Sequence, residues 1–189
     1  MKKIKVGQIG KGSFGKKILS KLEKMLDVSV EWVYGSKDKW WESDVDLDWI
    51  IIVSPNEFHY EQAKYYLEKG VDVFCEKPGT LSLESLTELI ELSKINDVCF
   101  YIDDVLTYED ILPISDFVYK KWGGSSANII DRMAYHHFYL VYDMIGERTP
   151  TDINVITNDL RHKVFEIDFG DSKFKFEYDL GWHKQKVHN

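Results

Sequence analysis

Three short segments of this chain combine glycine, amide, carboxylate and amine groups at spacings suited to holding a phosphate-bearing ligand and moving protons beside it. The first is Gly10-Lys11-Gly12-Ser13-Phe14-Gly15, a G-x-G-x-x-G pattern. Its first glycine permits a tight strand-to-helix turn, its second lets the backbone approach a pyrophosphate, and its third lets the helix pack close to the strand. A helix opening there offers N–H groups and a favourable dipole to the anion. Alone, the pattern also occurs in turns that hold nothing. Here it follows a short apolar run from Ile4 to Ile9, and Phe14, Ile18, Leu22 and Met25/Leu26 then recur at helical spacing. That is the strand–turn–helix context the fingerprint requires. The expected ligand is a nicotinamide dinucleotide, with all six residues of the segment as candidate contacts.

The next strand should end beside the adenosine ribose, where an acid would favour NAD by bonding the 2′-hydroxyl. This strand ends Tyr34-Gly35-Ser36-Lys37, with no acid before Asp38. Ser36 and Lys37 suit a 2′-phosphate, which leans the expectation to NADP over NAD. A solvated turn is the competing reading.

The second and third segments are Ser54-Pro55-Asn56-Glu57-Phe58-His59 and Glu76-Lys77-Pro78. With the glycine segment, in this order, they resemble the glucose–fructose oxidoreductase/inositol dehydrogenase (Gfo/Idh/MocA) family. The resemblance covers residues 4 to about 100. It implies that Ser54, Pro55, Asn56, His59 and Glu76 help hold the cofactor, and that the proline after Lys77 is cis. It also implies that Lys77 stands beside nicotinamide and substrate, where a positive charge would stabilise a developing alkoxide. The family's proton-passing histidine corresponds to His136, counted back from Gly146. The residue four before it is Arg132, where the family has an acid, and Asp131 is one position off. The catalytic candidates are therefore Lys77, His136 and Asp131. The other reading of His136 and His137 is two ordinary histidines in an aromatic-rich helix. Asp103-Asp104-Val105-Leu106-Thr107-Tyr108 also departs from the arginine-rich stretch of many relatives.

The elements that must position these groups follow from periodicity. Strands are expected over residues 4–9, 28–34, 48–53, 71–75 and 98–102, and helices over 13–26, 57–69 and 82–94. This alternation predicts an α/β fold: an N-terminal Rossmann doubly wound parallel sheet. After Ile114 the pattern changes. A helix over 134–145 and strands over 153–156, 164–169 and 174–178, the last two flanking a Gly170-Asp171-Ser172 turn, predict a small, truncated α+β domain. The expected division is residues 1–116 for the NAD(P)-binding domain and 117–189 for a short substrate or oligomerisation domain, through which a homo-oligomer could form.

Bulk properties narrow the field. The chain has 189 residues, 44% hydrophobic and 30% charged, with a formal net charge of -8. A general nucleic-acid surface is disfavoured by that charge. No run reaches the roughly 18 apolar residues of a membrane span. Cys75 and Cys99 fit no metal spacing and are expected to be reduced and buried, and the scattered histidines give no metal site. The expected location is cytoplasmic. The expected activity is NAD(P)-dependent hydride transfer at a hydroxyl or carbonyl carbon of a sugar, cyclitol or sugar nucleotide. The alternative is an inactive NAD(P)-binding regulatory or partner subunit.

Overall fold

The computed structural model describes residues 2–103, 116–120, 134–159 and 161–179. The chain divides into two units, Met1–Asp104 and Val105–Asn189.

In the first unit, strands β1 (Ile4–Ile9), β2 (Val28–Tyr34), β3 (Trp49–Ile52), β4 (Asp72–Glu76) and β5 (Phe100–Asp103) form one parallel sheet in the order β2-β1-β3-β4-β5. Helices α1 (Ser13–Leu22), α2 (His59–Glu68) and α3 (Leu83–Ile95) connect them. The apolar run of β3 is continuous because both faces of the sheet are covered. Ile50 and Ile52 pack with Ala63 and Leu67 of α2 and Leu89 of α3. Ile51 and Val53 belong to a separate cluster with Ile18 and Leu22 of α1. This is the doubly wound sheet expected. Between β2 and β3 a short 3-10 turn, Trp40–Glu42, replaces a helix, and its buried Trp40 meets Tyr65 edge-on at 5.2 Å. Ser82 caps α3, its hydroxyl accepting from the Ser85 N–H at 3.1 Å.

The first helix is shorter than its apolar spacing suggests, ending at Leu22 instead of continuing to residue 26. The chain tightens there into three-residue turns, Lys24 N–H to Lys21 O and Met25 N–H to Leu22 O. Leu26 is 92% exposed, so it does not extend the buried stripe. The helix expected from residue 57 likewise begins with a 3-10 turn, Asn56–Phe58, before α2 proper.

The second unit contains β6 (Asp116–Lys120), α4 (Tyr135–Ile145), β7 (Asp152–Asn158), β8 (His162–Asp168) and β9 (Lys173–Asp179). The sheet order is β6-β9-β8-β7. β7, β8 and β9 run antiparallel, and β6 lies parallel to β9. The β8–β9 hairpin turns through Gly170 at φ +91, closed by Phe169 N–H to Ser172 O at 2.8 Å. Phe165, Ile167, Phe174, Phe176 and Tyr178 pack with Leu140 and Val141 of α4. Polar residues alternate with them along the strands: Lys173 pairs with Glu166 at 2.9 Å, and His162 Nε2 lies 3.2 Å from Glu177 Oε1.

One expectation about the cysteines needs correction. Cys75 is buried in β4, but Cys99 is exposed, because it precedes β5 at the edge where the strands begin. Burial pushes the Cys75 thiol well above its ordinary range, and the thiolate is the reactive form. A thiol reagent is therefore expected to modify Cys99 in the folded protein and Cys75 only after denaturation, as counted by mass spectrometry.

Candidate functional site

In a parallel sheet of this kind ligands bind outside the carboxyl ends of the strands, where the connections diverge to opposite sides. Here the chain leaves β1 for β2 on one side, and β3 lies on the other. All three sequence motifs occupy loops at this edge.

The glycine segment leaves β1. Gly10 sits at φ +123, and a Cβ there would run into the carbonyl of Val53. A Cβ on Gly15 would strike the carbonyl oxygen of Gly10, so α1 passes too close to the strand exit for any other residue. Gly12 differs: a Cβ there would meet nothing within 4 Å. Gly12 is also the N-cap of α1, supplies no side-chain acceptor, and is followed by no acid in the first turn. The positive end of the helix thus faces open space with its leading N–H groups uncovered by a capping side chain.

Beneath this loop lies Gln8, fully buried. Its amide nitrogen donates to Gly10 O at 2.8 Å and to Gly15 O at 3.1 Å, joining the first and last glycines of the motif. Its buried Oε1 has no hydrogen-bond partner among the described residues. Asp38 closes the outer side. Its carboxylate accepts from Gly35 N–H at 2.7 Å and pairs with Lys11 Nζ at 2.8 Å. The Lys11 ammonium, and then the Gly35 N–H, hold the Asp38 carboxyl below its usual range. A group lowered this way contributes its link above the ordinary carboxylate range and loses it as the pH falls through the lowered value. The Lys11–Asp38 link therefore holds at neutral pH. An acid that stands too far along the sequence to read as a ribose contact is folded back to the end of β2. Ser36 is half-buried and Lys37 is exposed beside it.

The loop after β3 is tied down from α2. Ser54 is buried and donates its hydroxyl to Gln62 Oε1 at 2.6 Å, while Gln62 Nε2 reaches Ser36 O at 3.4 Å. Pro55 is exposed, and Asn56 is half-buried at the start of the 3-10 turn. His59 is fully buried, with Nε2 at 2.8 Å from Ser54 O and Nδ1 at 2.8 Å from Pro78 O. With both ring nitrogens engaged by backbone, His59 can act on a ligand only through these two loops. At the end of β4, Glu76 turns its carboxylate back to accept from Lys77 N–H at 2.5 Å. Glu76 and Lys77 are half-buried, and the Lys77–Pro78 peptide is cis.

The structure thus brings the residues of all three motifs to one edge of the first unit. His136 lies on α4 in the second unit, and Asp131 lies outside the described residues. The neighbouring His137 sets Nδ1 at 2.9 Å from the hydroxyl of buried Tyr178 and stacks on its ring. Among the described residues no three of His, Cys, Asp or Glu could hold a metal ion, and no helix is long and apolar enough to cross a membrane.

Gln8, Gln62 and Asp38 lie outside the sequence motifs. The one available signal was the buried-strand setting of Gln8: an amide among Val6, Ile9 and two glycines must find partners inside.

Comparison with known proteins supports the fold of the first unit. The model of the oxidoreductase family with NAD-binding Rossmann fold, Gfo/Idh/MocA, matches residues 21–103. An uncharacterized oxidoreductase of Streptococcus pneumoniae is 26% identical over 122 residues, 56% of this chain and 33% of that protein. The scyllo-inositol 2-dehydrogenase (NADP(+)) IolU of Bacillus subtilis is 38% identical over 52 residues, 28% of this chain and 16% of that protein. The chain thus matches about a third, or less, of the length of these curated relatives. The crystal structure of myo-inositol 2-dehydrogenase from Lactobacillus plantarum superposes with a TM-score of 0.75 at 20% identity, covering 95% of this chain and 70% of that one, a likeness of fold. By its parallel sheet and the match over residues 21–103, the first unit of this chain is similar to the Gfo/Idh/MocA oxidoreductases with NAD-binding Rossmann fold.

Proposed function

We propose that this chain binds NAD(P) at the carboxyl edge of its parallel sheet and serves an oxidoreductase acting on a hydroxyl or carbonyl carbon of a sugar, cyclitol or sugar nucleotide. The observation that carries the reading is the open space at Gly12 over the uncapped N-terminus of α1. An anion there meets backbone N–H groups and the positive end of the helix. The residues fit the cofactor: Gly10, Lys11, Gly12, Ser13, Phe14 and Gly15 would hold the pyrophosphate, and Ser36 and Lys37 the adenosine ribose. Ser54, Pro55, Asn56 and Glu76 would hold the nicotinamide half, with His59 acting through the loops it joins.

Bound there, the nicotinamide supplies a hydride donor or acceptor. The protein's share is the oxygen and its proton. Lys77 would place its ammonium at the reacting oxygen and stabilise negative charge there. His136, with Asp131 as its orienting acid, would take or give the hydroxyl proton, a task suited to a group that ionises near neutrality. The substrate class is supported by the similarity to the scyllo-inositol 2-dehydrogenase of Bacillus subtilis. The test is absorbance at the nicotinamide band with a panel of sugars, cyclitols and nucleotide sugars. Tight cofactor binding with no turnover on any of them would count against the enzyme.

Cofactor choice follows from the end of β2. Lys37 and Ser36 favour a 2′-phosphate, while the Asp38 carboxylate is taken up by Lys11 and the Gly35 N–H. Lys37→Ala is expected to weaken NADP about tenfold and to change NAD about twofold at most. Titration of both cofactors against both proteins decides it, and an unchanged NADP affinity removes Lys37 from the role.

A further inference from the structure

The first turn of α2 begins with a histidine whose two nitrogens face two acceptors. Nδ1 of His59 is 2.8 Å from Pro78 O, and Nε2 is 2.8 Å from Ser54 O. A backbone carbonyl oxygen only accepts, and a neutral imidazole carries one N–H. Either neutral tautomer would satisfy one carbonyl and press a nitrogen lone pair against the other. Only the imidazolium donates to both. The ring is fully buried, so water cannot take over either contact. An ion buried without partners would be strongly disfavoured, but two short charge-assisted bonds offset its loss of hydration.

We infer that His59 is held as an imidazolium whose two N–H groups fasten the loop after β3 to the turn after β4, making it the positioning residue for the nicotinamide half of the site. Its role as a positioning residue rests on the function proposed above; its charge state rests on geometry alone. The two carbonyls it joins lie within the Ser54-Pro55-Asn56 and Glu76-Lys77-Pro78 segments, so one ring sets their separation. The glycine loop is held by Gln8 and the β2 turn by Asp38, with the 3.4 Å contact of Gln62 Nε2 with Ser36 O linking that turn to the Ser54 loop. The pyrophosphate and adenosine portions should therefore be much less sensitive to His59 than the nicotinamide half.

Two measurements test this. In the full chain labelled with ¹⁵N-histidine at neutral pH, with His59 assigned by its loss in His59→Gln, both ring nitrogens are expected to show protonated-type shifts. One bare nitrogen overturns the charge state. Titrations of His59→Gln and His59→Asn then compare the full cofactor with ADP-ribose, which lacks nicotinamide. The full cofactor is expected to weaken about tenfold or more, since one charge-assisted bond is lost, with ADP-ribose changed about twofold at most. Equal losses for both ligands would overturn the positioning role. If the variants do not fold, His59 is assigned in the wild-type spectrum by through-bond correlation of its ring to its own backbone amide, and that spectrum still decides the charge. A doubly protonated His59 in a chain that binds no NAD(P) would sink the proposed function and leave the imidazolium standing. A bare nitrogen in a chain that binds NAD(P) would do the reverse.

Discussion

Gly12→Val is expected to abolish high-affinity NAD(P) binding while leaving the protein folded. The backbone at Gly12 has φ -67 and ψ -177, an extended conformation open to any residue. A Cβ there meets no atom of the protein within 4 Å, so the valine has room. A surface substitution of this kind usually changes stability by about 0.5 kcal/mol or less. The same side chain would stand where the pyrophosphate must approach the N–H groups of α1. Losing one or two hydrogen bonds to a charged phosphate, at about 1.5–3 kcal/mol each, corresponds to a fall in affinity of about a hundredfold. Gly10→Ala is the contrasting control. Its positive φ and its contact with the Val53 backbone predict a destabilised fold, at a cost of about 1–3 kcal/mol or more. Thermal melting and calorimetric titration of the two variants separate the cases. A Gly12→Val protein that binds NAD(P) as tightly as wild type would remove the glycine loop from the site.

The second large effect is expected at Lys77. Lys77→Met keeps most of the side chain's length and removes its charge. The turn itself rests on the backbone N–H of Lys77 and the carboxylate of Glu76, which the substitution leaves in place. Cofactor affinity should therefore change only a few-fold. Turnover should fall about 10²–10³-fold, the range found when a preorganised donor to a developing oxyanion is removed. Single-turnover hydride transfer, followed at the nicotinamide band, is the measurement. A few-fold loss in rate would place the charge elsewhere, and a matching loss in cofactor affinity would make Lys77 a binding residue.

The sheet of the first unit was legible because both strand faces are buried and the runs are continuous. The loops at the strand exits were legible because their backbone geometry restricts which residues can stand there, as the close approach at Gly10 and Gly15 and the cis Lys77–Pro78 bond show. What ties those segments together was not. Gln8, Gln62 and His59 make their bonds to main chain or to partners distant in sequence, and a buried amide leaves no periodic trace. Asp38 stands beyond the strand when counted along the chain, whereas the turn at Gly35 brings its carboxylate back. In α1, spacing alone carried the helix to residue 26, because spacing does not reveal where the neighbouring sheet stops offering a surface. β6 gave no signal either: it is short, and its partner β9 is more than fifty residues away.

Gln8 has a kinetic consequence. By bonding both Gly10 and Gly15 from below, it holds the curvature of the glycine loop in the folded chain. The conformational entropy of that loop is then already lost before encounter, and none of it is charged against association. Binding of the pyrophosphate end should accordingly be a single fast phase, linear in cofactor concentration, with no saturating step for loop closure. Any slower phase in a stopped-flow trace would belong to the nicotinamide end.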